Sequence, residues 1–316
     1  MTQGVWFDRS TAGGRLELTD QHRLDLVHRM STNDLNSLKI GEGCATVFTT
    51  ALARIIDRVI VYHRGETALM LSAQPQVVQN WLRRHIFWQD RVKIKDVSGD
   101  WAQIETYGPD SLEFATQISP EAATLPLHHW REQDGIITAR TYPLGGEGTH
   151  GFIFLVPVPM LDTFKTRLSE CTGLLPGDDH AYEVMRIGAG LPAAGHELSE
   201  SYIPLEAGLW DSVSFRKGCY IGQEIIARME SRNKLAKTLI ALQLDGDAPL
   251  GAKLLAPDGS EGILTSIAQR EDGVRVGLGF IKPQTAETGT LLQVEGSAST
   301  AVITTVPLIT ERRISV

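Results

Sequence analysis

The sequence predicts an α+β fold, and three observations lead to this prediction. Residues 1–234 mix short strand-like alternations with short amphipathic helix patterns. Within that part the order strand-helix-strand-strand-helix-strand is typical of a ferredoxin-like unit. Residues 235–316 show only short strand patterns separated by Gly, Asp and Pro, which is typical of a small closed β-barrel. We therefore place a domain boundary at the polar stretch Arg232-Asn233-Lys234.

Alternation predicts the first strands, and apolar spacing predicts the helices between them. Asp20 is expected to cap the first helix, and Pro75 suits the first turn of the second. We expect the second helix to turn Val77, Val78, Trp81 and Leu82 inward. The predicted strands are 15–19, 46–50, 54–62, 69–71, 91–97 and 101–105, and the predicted helices are 21–30, 74–85 and 108–117.

A glycine-rich stretch, Gly145–Gly151, separates the strand patterns 136–142 and 152–156. It lacks the Lys-Ser/Thr that completes a phosphate-binding loop, so a β-hairpin is the better interpretation. Further helices are predicted at 159–172, 179–187 and 223–229. The barrel strands are predicted at 237–244, 252–256, 261–269, 274–280, 290–294 and 300–306.

Charge and composition exclude several classes of protein. The chain of 316 residues has a formal net charge of −8, which disfavours a nonspecific nucleic-acid binder or a protein that attaches to anionic membranes. No apolar run reaches membrane-spanning length, and the N-terminus has no apolar signal-peptide region. We expect a cytoplasmic protein.

The three cysteines are Cys44, Cys171 and Cys219. They are far apart and form no C-x-x-C pair, so neither a zinc ribbon nor a disulfide framework is predicted, and we expect no resident metal. A conventional iron–sulfur cluster takes four thiolates, which is more than one chain offers.

The densest group of special residues is Lys217-Gly218-Cys219-Tyr220-Ile221-Gly222-Gln223-Glu224. Cys219 follows Arg216 and Lys217 and precedes a predicted helix, and positive charge favours the reactive thiolate. Both glycines allow positive φ, so a sharp turn is expected at each. The alternative is a buried, inert cysteine between two turn glycines.

Two other polar groups have plain structural interpretations. Adjacent histidines on a strand point to opposite faces, so His128 and His129 make a poor metal pair, and we interpret them as packing or surface residues. Asn33 and Asp34 lie in a turn cluster, where either turn chemistry or contact with a ligand would explain them.

The motif at 217–224, followed by Ala227-Arg228, resembles the signature of the folate-binding YgfZ family of iron–sulfur cluster assembly and repair proteins. That family is related to the T-protein of the glycine cleavage system, a tetrahydrofolate-dependent aminomethyltransferase. The Thr-Asn-Asp-Leu stretch at 32–35 and the Gly-Leu-Pro turn after Arg186 also match. The resemblance implies a T-protein-like ring: two interwoven ferredoxin-like subdomains over 1–234, with the β-barrel at 235–316.

The resemblance also implies a reduced folate as cofactor and iron–sulfur carrier or client proteins as partners. Two residues are candidates for chemistry, Cys219 and Lys217. The candidates for holding the folate are Arg186, Arg228, Arg58, Tyr62, Asn33, Gln223 and Glu224. Arginine suits this task because its guanidinium matches carboxylates with two parallel hydrogen bonds.

Two positions depart from the aminomethyltransferase pattern. The second of its paired aspartates is the catalytic one, and here the pair is Asp57-Arg58. Arginine cannot accept a proton because it is always charged. In the hairpin, Gly151-Phe152-Ile153 replaces an ending of Gly-Phe-Glu, so the glutamate that holds the pterin is missing.

Three functions are therefore compared. The first is a folate-binding factor that maintains iron–sulfur proteins, whether or not it turns over a substrate. The second is a true aminomethyltransferase, against which Arg58, Ile153 and Cys219 count. The third is a scaffold that has lost folate binding.

Overall fold

A computed structural model describes residues 3–145, 148–232 and 234–305 of the protein. The chain forms two compact units, each assembled from separate stretches of sequence. Unit 1 comprises Met1–Phe48, Ile56–Asp178 and Arg216–Ile221, and unit 2 comprises Thr49–Ile55, Asp179–Phe215 and Gly222–Val316. Four residues of the predicted turns, boundary and strands lie outside the described residues: Gly146, Glu147, Asn233 and Val306.

Unit 1 contains two sheets with helices on their outer faces. A five-stranded sheet has the order β3-β4-β5-β2-β6, and a six-stranded sheet has the order β11-β1-β7-β10-β9-β8. The strands are β1 Gly4–Asp8, β2 Gly14–Thr19, β3 Gly43–Thr49, β4 Ile55–His63, β5 Thr67–Ser72, β6 Lys93–Asp96, β7 Trp101–Gly108, β8 Trp130–Gln133, β9 Ile136–Thr141, β10 His150–Pro157 and β11 Leu174–Pro176. The helices are α1 Arg23–Met30, α2 Pro75–Arg83, α3 Ser111–Ile118 and α4 Leu161–Glu170.

The two sheets share an apolar layer, and each has its own helix-side core. Tyr62, Leu69, Ile137, Ile153 and Leu155 belong to the layer between the sheets. Because side chains alternate along a strand, β4 turns Val59 and Val61 toward α1 and α2 instead. On the far side of the six-stranded sheet, α3 and α4 pack through Phe114, Phe154 and Phe164, whose ring centroids lie 5.3–5.7 Å apart.

The predicted hairpin around the glycine-rich stretch is confirmed. β9 and β10 pair antiparallel, with Ile153 opposite Ala139, and β10 also pairs with β7, where Ile153 lies opposite Glu105. Directly opposed residues of antiparallel strands project on the same face. Glu105 is therefore the carboxylate nearest in register to the position where the glutamate of the aminomethyltransferase pattern is replaced by isoleucine.

Unit 2 is centred on a closed six-stranded barrel, as predicted, with strand order β12-β15-β14-β13-β16-β17. Its strands are β12 Thr238–Leu244, β13 Lys253–Leu255, β14 Glu261–Gln269, β15 Arg275–Ile281, β16 Leu291–Val294 and β17 Thr300–Thr305, and its helices are α5 Asp179–Gly188 and α6 Gln223–Arg232. The register of β14 shifts between Leu264 and Ser266, so Thr265 lies at a β-bulge.

Three local predictions are wrong. α1 begins after His22 without a side-chain cap; Asp20 has a φ of +79° and accepts the backbone N–H of Gln21. Val77 is 47% exposed, because α2 turns Val78 and Leu82 to the core. Gly222 has the predicted positive φ, +83°, but Gly218 does not adopt one.

Among the helices of the described ranges, none has the length and apolar composition that crossing a bilayer requires.

Candidate functional site

Lys217 fastens the cysteine-containing segment to the end of α1. Its Nζ donates hydrogen bonds to the carbonyl oxygens of Ser31 (2.7 Å) and Asn33 (2.8 Å) and to that of His28. The last carbonyls of a helix lack intrahelical partners and carry partial negative charge, which makes this end a good place for an ammonium group. Burial lowers the pKa of Lys217 to about 8.

Cys219 is exposed, and Cys44 and Cys171 are partly buried. Cys219 is therefore accessible, which contradicts the alternative of a buried cysteine, and the reactivity of its thiol stays a prediction. Tyr220 directly follows Cys219, and its ring centroid lies 5.1 Å from Lys217 Nζ. Burial raises the pKa of the Tyr220 hydroxyl to about 12. Ile221 packs against the helix-side core of the five-stranded sheet. The thiol is thus presented to solvent by a segment that is anchored on both sides.

Asn33 makes the contacts of a structural turn. Its side-chain Nδ2 donates to the Ala45 carbonyl (2.8 Å), its Oδ1 accepts the N–H of Asp34 (2.9 Å), and its own N–H donates to Thr46 Oγ1 (2.9 Å). These bonds explain Asn33 by turn chemistry, which was one of the two interpretations left open. Contact of Asn33 with a folate stays a prediction.

The Asp57-Arg58 pair splits between the two faces of β4. Asp57 is fully buried on the helix side, where its Oδ2 accepts Ser72 Oγ (2.6 Å) and the N–H of Gln74 (3.1 Å) just before α2. Burial raises the pKa of Asp57 to about 6. Arg58 lies on the other face with its guanidinium carbon 5.4 Å from the centroid of the Tyr142 ring. The carboxylate thus has a structural role in unit 1, and the arginine is the member that faces the space between the sheets.

Five polar residues lie between the two sheets and form what we call the inter-sheet polar cluster: Arg58, Tyr62, Glu105, His128 and Tyr142. The His128 ring packs edge-on against Tyr142, with centroids 5.2 Å apart. A Cβ added to Gly43 would come within 2.6 Å of the Tyr62 ring and 2.7 Å of the His128 carbonyl, so this glycine lets the two approach. Glu105 accepts hydrogen bonds from the Tyr107 hydroxyl (2.6 Å) and from Gln103 Nε2 (2.6 Å).

Several polar atoms of the cluster are buried without a hydrogen-bond partner among the described residues. They are both ring nitrogens of His128 and the hydroxyl oxygens of Tyr62 and Tyr142. Burial, with the nearby charge of Arg58, lowers the pKa of His128 to about 3, so the ring is neutral. Burial raises the pKa of Tyr62, and the charge of Glu105 adds to the shift. A buried polar atom left unsatisfied costs about 1–3 kcal/mol, so these four atoms call for a partner outside the protein, such as a water molecule or a ligand.

His128 is interpreted from the sequence as a packing or surface residue, and its burial against Tyr142 confirms packing, but the sequence does not suggest its place in this cluster. It is 5% exposed, which excludes a surface role, and its unsatisfied nitrogens distinguish it from an ordinary packing residue. Its backbone φ of +62° is rare for a residue other than glycine, and such backbone strain concentrates at functional sites. No residue pattern signals this conformation, which is set when the N–H of His128 donates to the Arg140 carbonyl (2.9 Å).

Arg186 lies in unit 2 inside a buried ion-pair network. Its guanidinium donates to Glu183 (3.0 Å from Nε), to Glu197 (3.4 Å) and to the Leu191 carbonyl (2.8 Å). The bulge in β14 turns both Thr265 and Ser266 toward Glu197, whose Oε1 accepts their hydroxyls at 2.5 and 2.7 Å. This network gives Arg186 a structural reason to be present, and its contact with a folate stays a prediction.

The other three predicted residues lie on α6 in unit 2. Glu224 and Arg228 are exposed and one helical turn apart, and Gln223 is partly buried at the first position of the helix. The nine predicted site residues therefore divide between the units. Unit 1 contains Cys219, Lys217, Arg58, Tyr62 and Asn33, and unit 2 contains Arg186, Gln223, Glu224 and Arg228.

Comparison with known proteins identifies the family. The family model described as the GCVT N-terminal domain matches residues 2–217, which is more than half of the chain. A chloroplastic protein of Arabidopsis thaliana with a provisional transferase name is 33% identical over 303 residues, or 93% of this chain and 69% of the relative. An aminomethyltransferase of Aquifex aeolicus is 32% identical over 70% of this chain and 60% of its own length.

The fold has a solved counterpart. The crystal structure of glycine cleavage system aminomethyltransferase T from Bartonella henselae superimposes with a TM-score of 0.82 at 16% sequence identity, covering 98% of this chain and 88% of that one. The α+β fold and the C-terminal barrel are thereby confirmed. On the family match and the sequence relatives together, the chain belongs to the GCVT N-terminal domain family of glycine cleavage T-protein-like proteins.

Proposed function

We propose that this protein binds a reduced folate, tetrahydrofolate, at the inter-sheet polar cluster, and that it supports the assembly or repair of iron–sulfur clusters through Cys219. The observation that carries the folate proposal is the set of buried polar atoms without protein partners beside Arg58. A pterin presents hydrogen-bond donors and acceptors on a flat ring, which suits the neutral His128 and the two tyrosine hydroxyls. The Arg58 guanidinium suits the carboxylates of the glutamate tail.

The role of the thiol follows from how the segment is held. Cys219 is exposed, while Lys217 and Ile221 on either side are tied into unit 1. An anchored, accessible cysteine can meet a carrier or client protein without the entropy cost of ordering a loose loop. The resemblance of the 217–224 motif to the iron–sulfur branch of the family supports the same role.

A second candidate function is aminomethyl transfer, which is favoured by the names of the relatives from Aquifex aeolicus and other bacteria. Arg58 counts against it, because the residue in that position is a permanent cation that accepts no proton. Loss of the usual pterin carboxylate at Ile153 counts against it as well, although Glu105 lies opposite in register. We therefore rank aminomethyl transfer below folate-linked maintenance.

Calorimetric titration with tetrahydrofolate tests the binding step. We expect saturable binding to the wild type and a dissociation constant about 10- to 100-fold weaker for Arg58→Ala, the cost of one charge-assisted hydrogen bond. Arg64→Ala is the matched control. Arg64 also lies in unit 1 with its guanidinium carbon 5.4 Å from an aromatic ring, that of Trp101, but outside the inter-sheet polar cluster. No binding at millimolar ligand would refute the folate proposal and favour a scaffold.

Complementation of a deletion strain tests the iron–sulfur role separately. The readout is the activity of a labile [4Fe–4S] dehydratase after oxidative stress. We expect the wild type and Cys171→Ala to restore that activity and Cys219→Ala to fail, at equal protein levels. Full restoration by Cys219→Ala would reject the thiol role and leave folate binding to be judged by calorimetry.

A further inference from the structure

The turn that follows α2 presents an aromatic pair to solvent. Phe87 is 59% exposed, and Trp88, at its tip, is 95% exposed. An indole is among the most costly side chains to leave in water, and soluble proteins keep such exposure low unless it serves an interaction. We call Phe87 and Trp88, with the exposed cations Arg83, Arg84, Arg91, Lys93 and Lys95, the Trp88 patch.

This turn is rigid rather than loose. Asp90 Oδ2 accepts the N–H of Phe87 (2.7 Å), and the N–H of Asp90 donates to the Phe87 carbonyl (2.9 Å). Arg29 on α1 forms an ion pair with Asp90 and lies 5.5 Å from the centroid of the Phe87 ring. The backbone that carries Trp88 is therefore fixed, which lowers the entropy cost of ordering this turn against a partner.

Charge is unevenly distributed around the patch. Residues 83–95 contain five Lys or Arg and one acidic residue, a formal charge of +4, which leaves −12 for the rest of a chain of net −8. That acidic residue, Asp90, has a side chain only 4% exposed and paired with Arg29. Lys95 is paired with Asp100 (3.2 Å), so the cationic character of the patch rests on Arg83, Arg84, Arg91 and Lys93.

Lys93 and Lys95 alone would have a plain explanation, because β6 is an edge strand and lysines prevent edge-to-edge aggregation. That explanation does not cover Trp88, which increases the risk of aggregation. Tryptophan and arginine are enriched in binding hot spots, and this part of the sequence combines Trp88 with Arg83, Arg84 and Arg91.

We propose that the Trp88 patch is the docking surface for an acidic partner protein that offers an apolar pocket ringed by carboxylates. A bilayer or polynucleotide extends its negative charge over a wide surface and would meet the −12 remainder of the chain as well as the patch. A folded protein can place its acidic groups against the patch alone.

Site-specific photo-crosslinking in the native cells tests the proposal with the full chain. A benzophenone amino acid replaces Trp88 and, as the matched control, Ile40, which is 69% exposed in the same unit. We expect one acidic protein to be captured from position 88 and not from position 40. Capture from neither position, or equally from both, would overturn the proposal.

Binding of the captured protein in purified form completes the test. We expect Trp88→Ala to weaken its affinity by about 30-fold or more, as hot-spot truncation does. The double charge reversal Arg91→Glu, Lys93→Glu should weaken it further at low salt, and Lys39→Glu, another exposed cation of unit 1, should not. Trp88→Ala should leave the unfolding midpoint unchanged.

Unaltered affinity in Trp88→Ala would refute the docking role. Vesicles of phosphatidylcholine and phosphatidylglycerol and a single-stranded oligonucleotide serve as alternative probes. Binding to either that depends on Trp88 would replace the protein partner by a membrane or a nucleic acid and so refute the proposal.

Discussion

Lys217 illustrates how a residue of a reactive-looking motif can serve the fold. Its ammonium group satisfies carbonyl oxygens at the end of α1, including those of Ser31 and Asn33. Carbonyl groups at a helix C-terminus, such as that of His28, lack partners within the helix. A chemical role for Lys217 stays a prediction, whereas its structural role is visible in the contacts. The thiol two residues later is the group left open to reaction.

Cys219 should react with iodoacetamide faster than Cys44 and Cys171 in the folded protein, because it alone of the three is exposed. Mass spectrometry of the alkylated peptides over time gives the three rates, and Cys219→Ala shows the background. Equal rates, or reaction at Cys219 only after unfolding, would contradict the structure at this residue.

Asp57 should make the stability of the protein fall as pH rises from about 4 to about 6. Burial raises its pKa from 3.8 to about 6. In that window the folded state keeps a proton that the unfolded chain has released, so raising the pH favours unfolding by about 1.4 kcal/mol per pH unit. Urea unfolding of wild type and Asp57→Asn at pH 4 and pH 7 measures the effect. The free energy of unfolding of the variant, relative to that of the wild type, should be higher at pH 7 than at pH 4.

Asp96→Asn provides a control of opposite sign. The Ser98 hydroxyl and N–H donate to Asp96 and lower the pKa of its carboxyl. Its contribution is present above the ordinary pKa and is lost as pH falls, so this variant should lose stability relative to the wild type at pH 7. If the difference in free energy of unfolding between Asp57→Asn and wild type is the same at both pH values, burial does not raise the pKa of Asp57 as described.

At the scale of elements, the two glycines of the cysteine segment allow a matched comparison. Gly222 has a φ of +83°, and a Cβ there would lie 2.9 Å from both the Ala53 Cα and the Thr50 carbonyl oxygen. Gly218 has open space around the same atom. We expect Gly222→Ala to lower the free energy of unfolding by at least ~1–2 kcal/mol. Gly218→Ala should change it by less than about 0.5 kcal/mol. Chemical denaturation of both variants decides, and equal effects would contradict the assigned conformations.

Most elements could be predicted from local patterns, and the failures have local causes. Short strand patterns separated by Gly, Asp and Pro predicted β14 and β15 at 261–269 and 274–280, and the structure has them at Glu261–Gln269 and Arg275–Ile281. Asp20 failed as a cap because its φ of +79° places it in a turn before the helix. Val77 and Val78 are adjacent and project in different directions, so the helical pattern alone did not show which one is buried.

The candidate site was less predictable because its contacts join distant parts of the chain. Arg58 and Tyr62 are on one face of one strand, and the alternation of β4 already groups them. His128 and Tyr142 reach them only through the packing of two sheets, which no local pattern shows. The partners of Lys217 lie 184 to 189 residues away in sequence. The family resemblance supplied Arg58 and Tyr62 as candidates but not His128.

For the whole molecule, we predict that the purified protein does not transfer an aminomethyl group from a lipoyl-bound donor to tetrahydrofolate. Arg58 occupies the position of the catalytic aspartate in the aminomethyltransferase pattern, and general acid–base help contributes about 10²–10⁴ in rate. A coupled assay of methylenetetrahydrofolate formation measures this, with a bacterial aminomethyltransferase as the positive control. Turnover at a rate comparable to that of the control would show that the protein is an aminomethyltransferase and that this prediction is wrong.

The discontinuity of unit 1 also affects the order in which the protein is made. Lys217 leaves the ribosome 189 residues after His28, whose carbonyl it binds. At about 5–20 residues per second, α1 waits roughly 10–40 s for that ammonium group. In between, the ribosome synthesises residues 179–215, which belong to the other unit. Unit 1 therefore stays incomplete until the six residues Arg216–Ile221 have been synthesised, and the exposed Cys219 is one of these six.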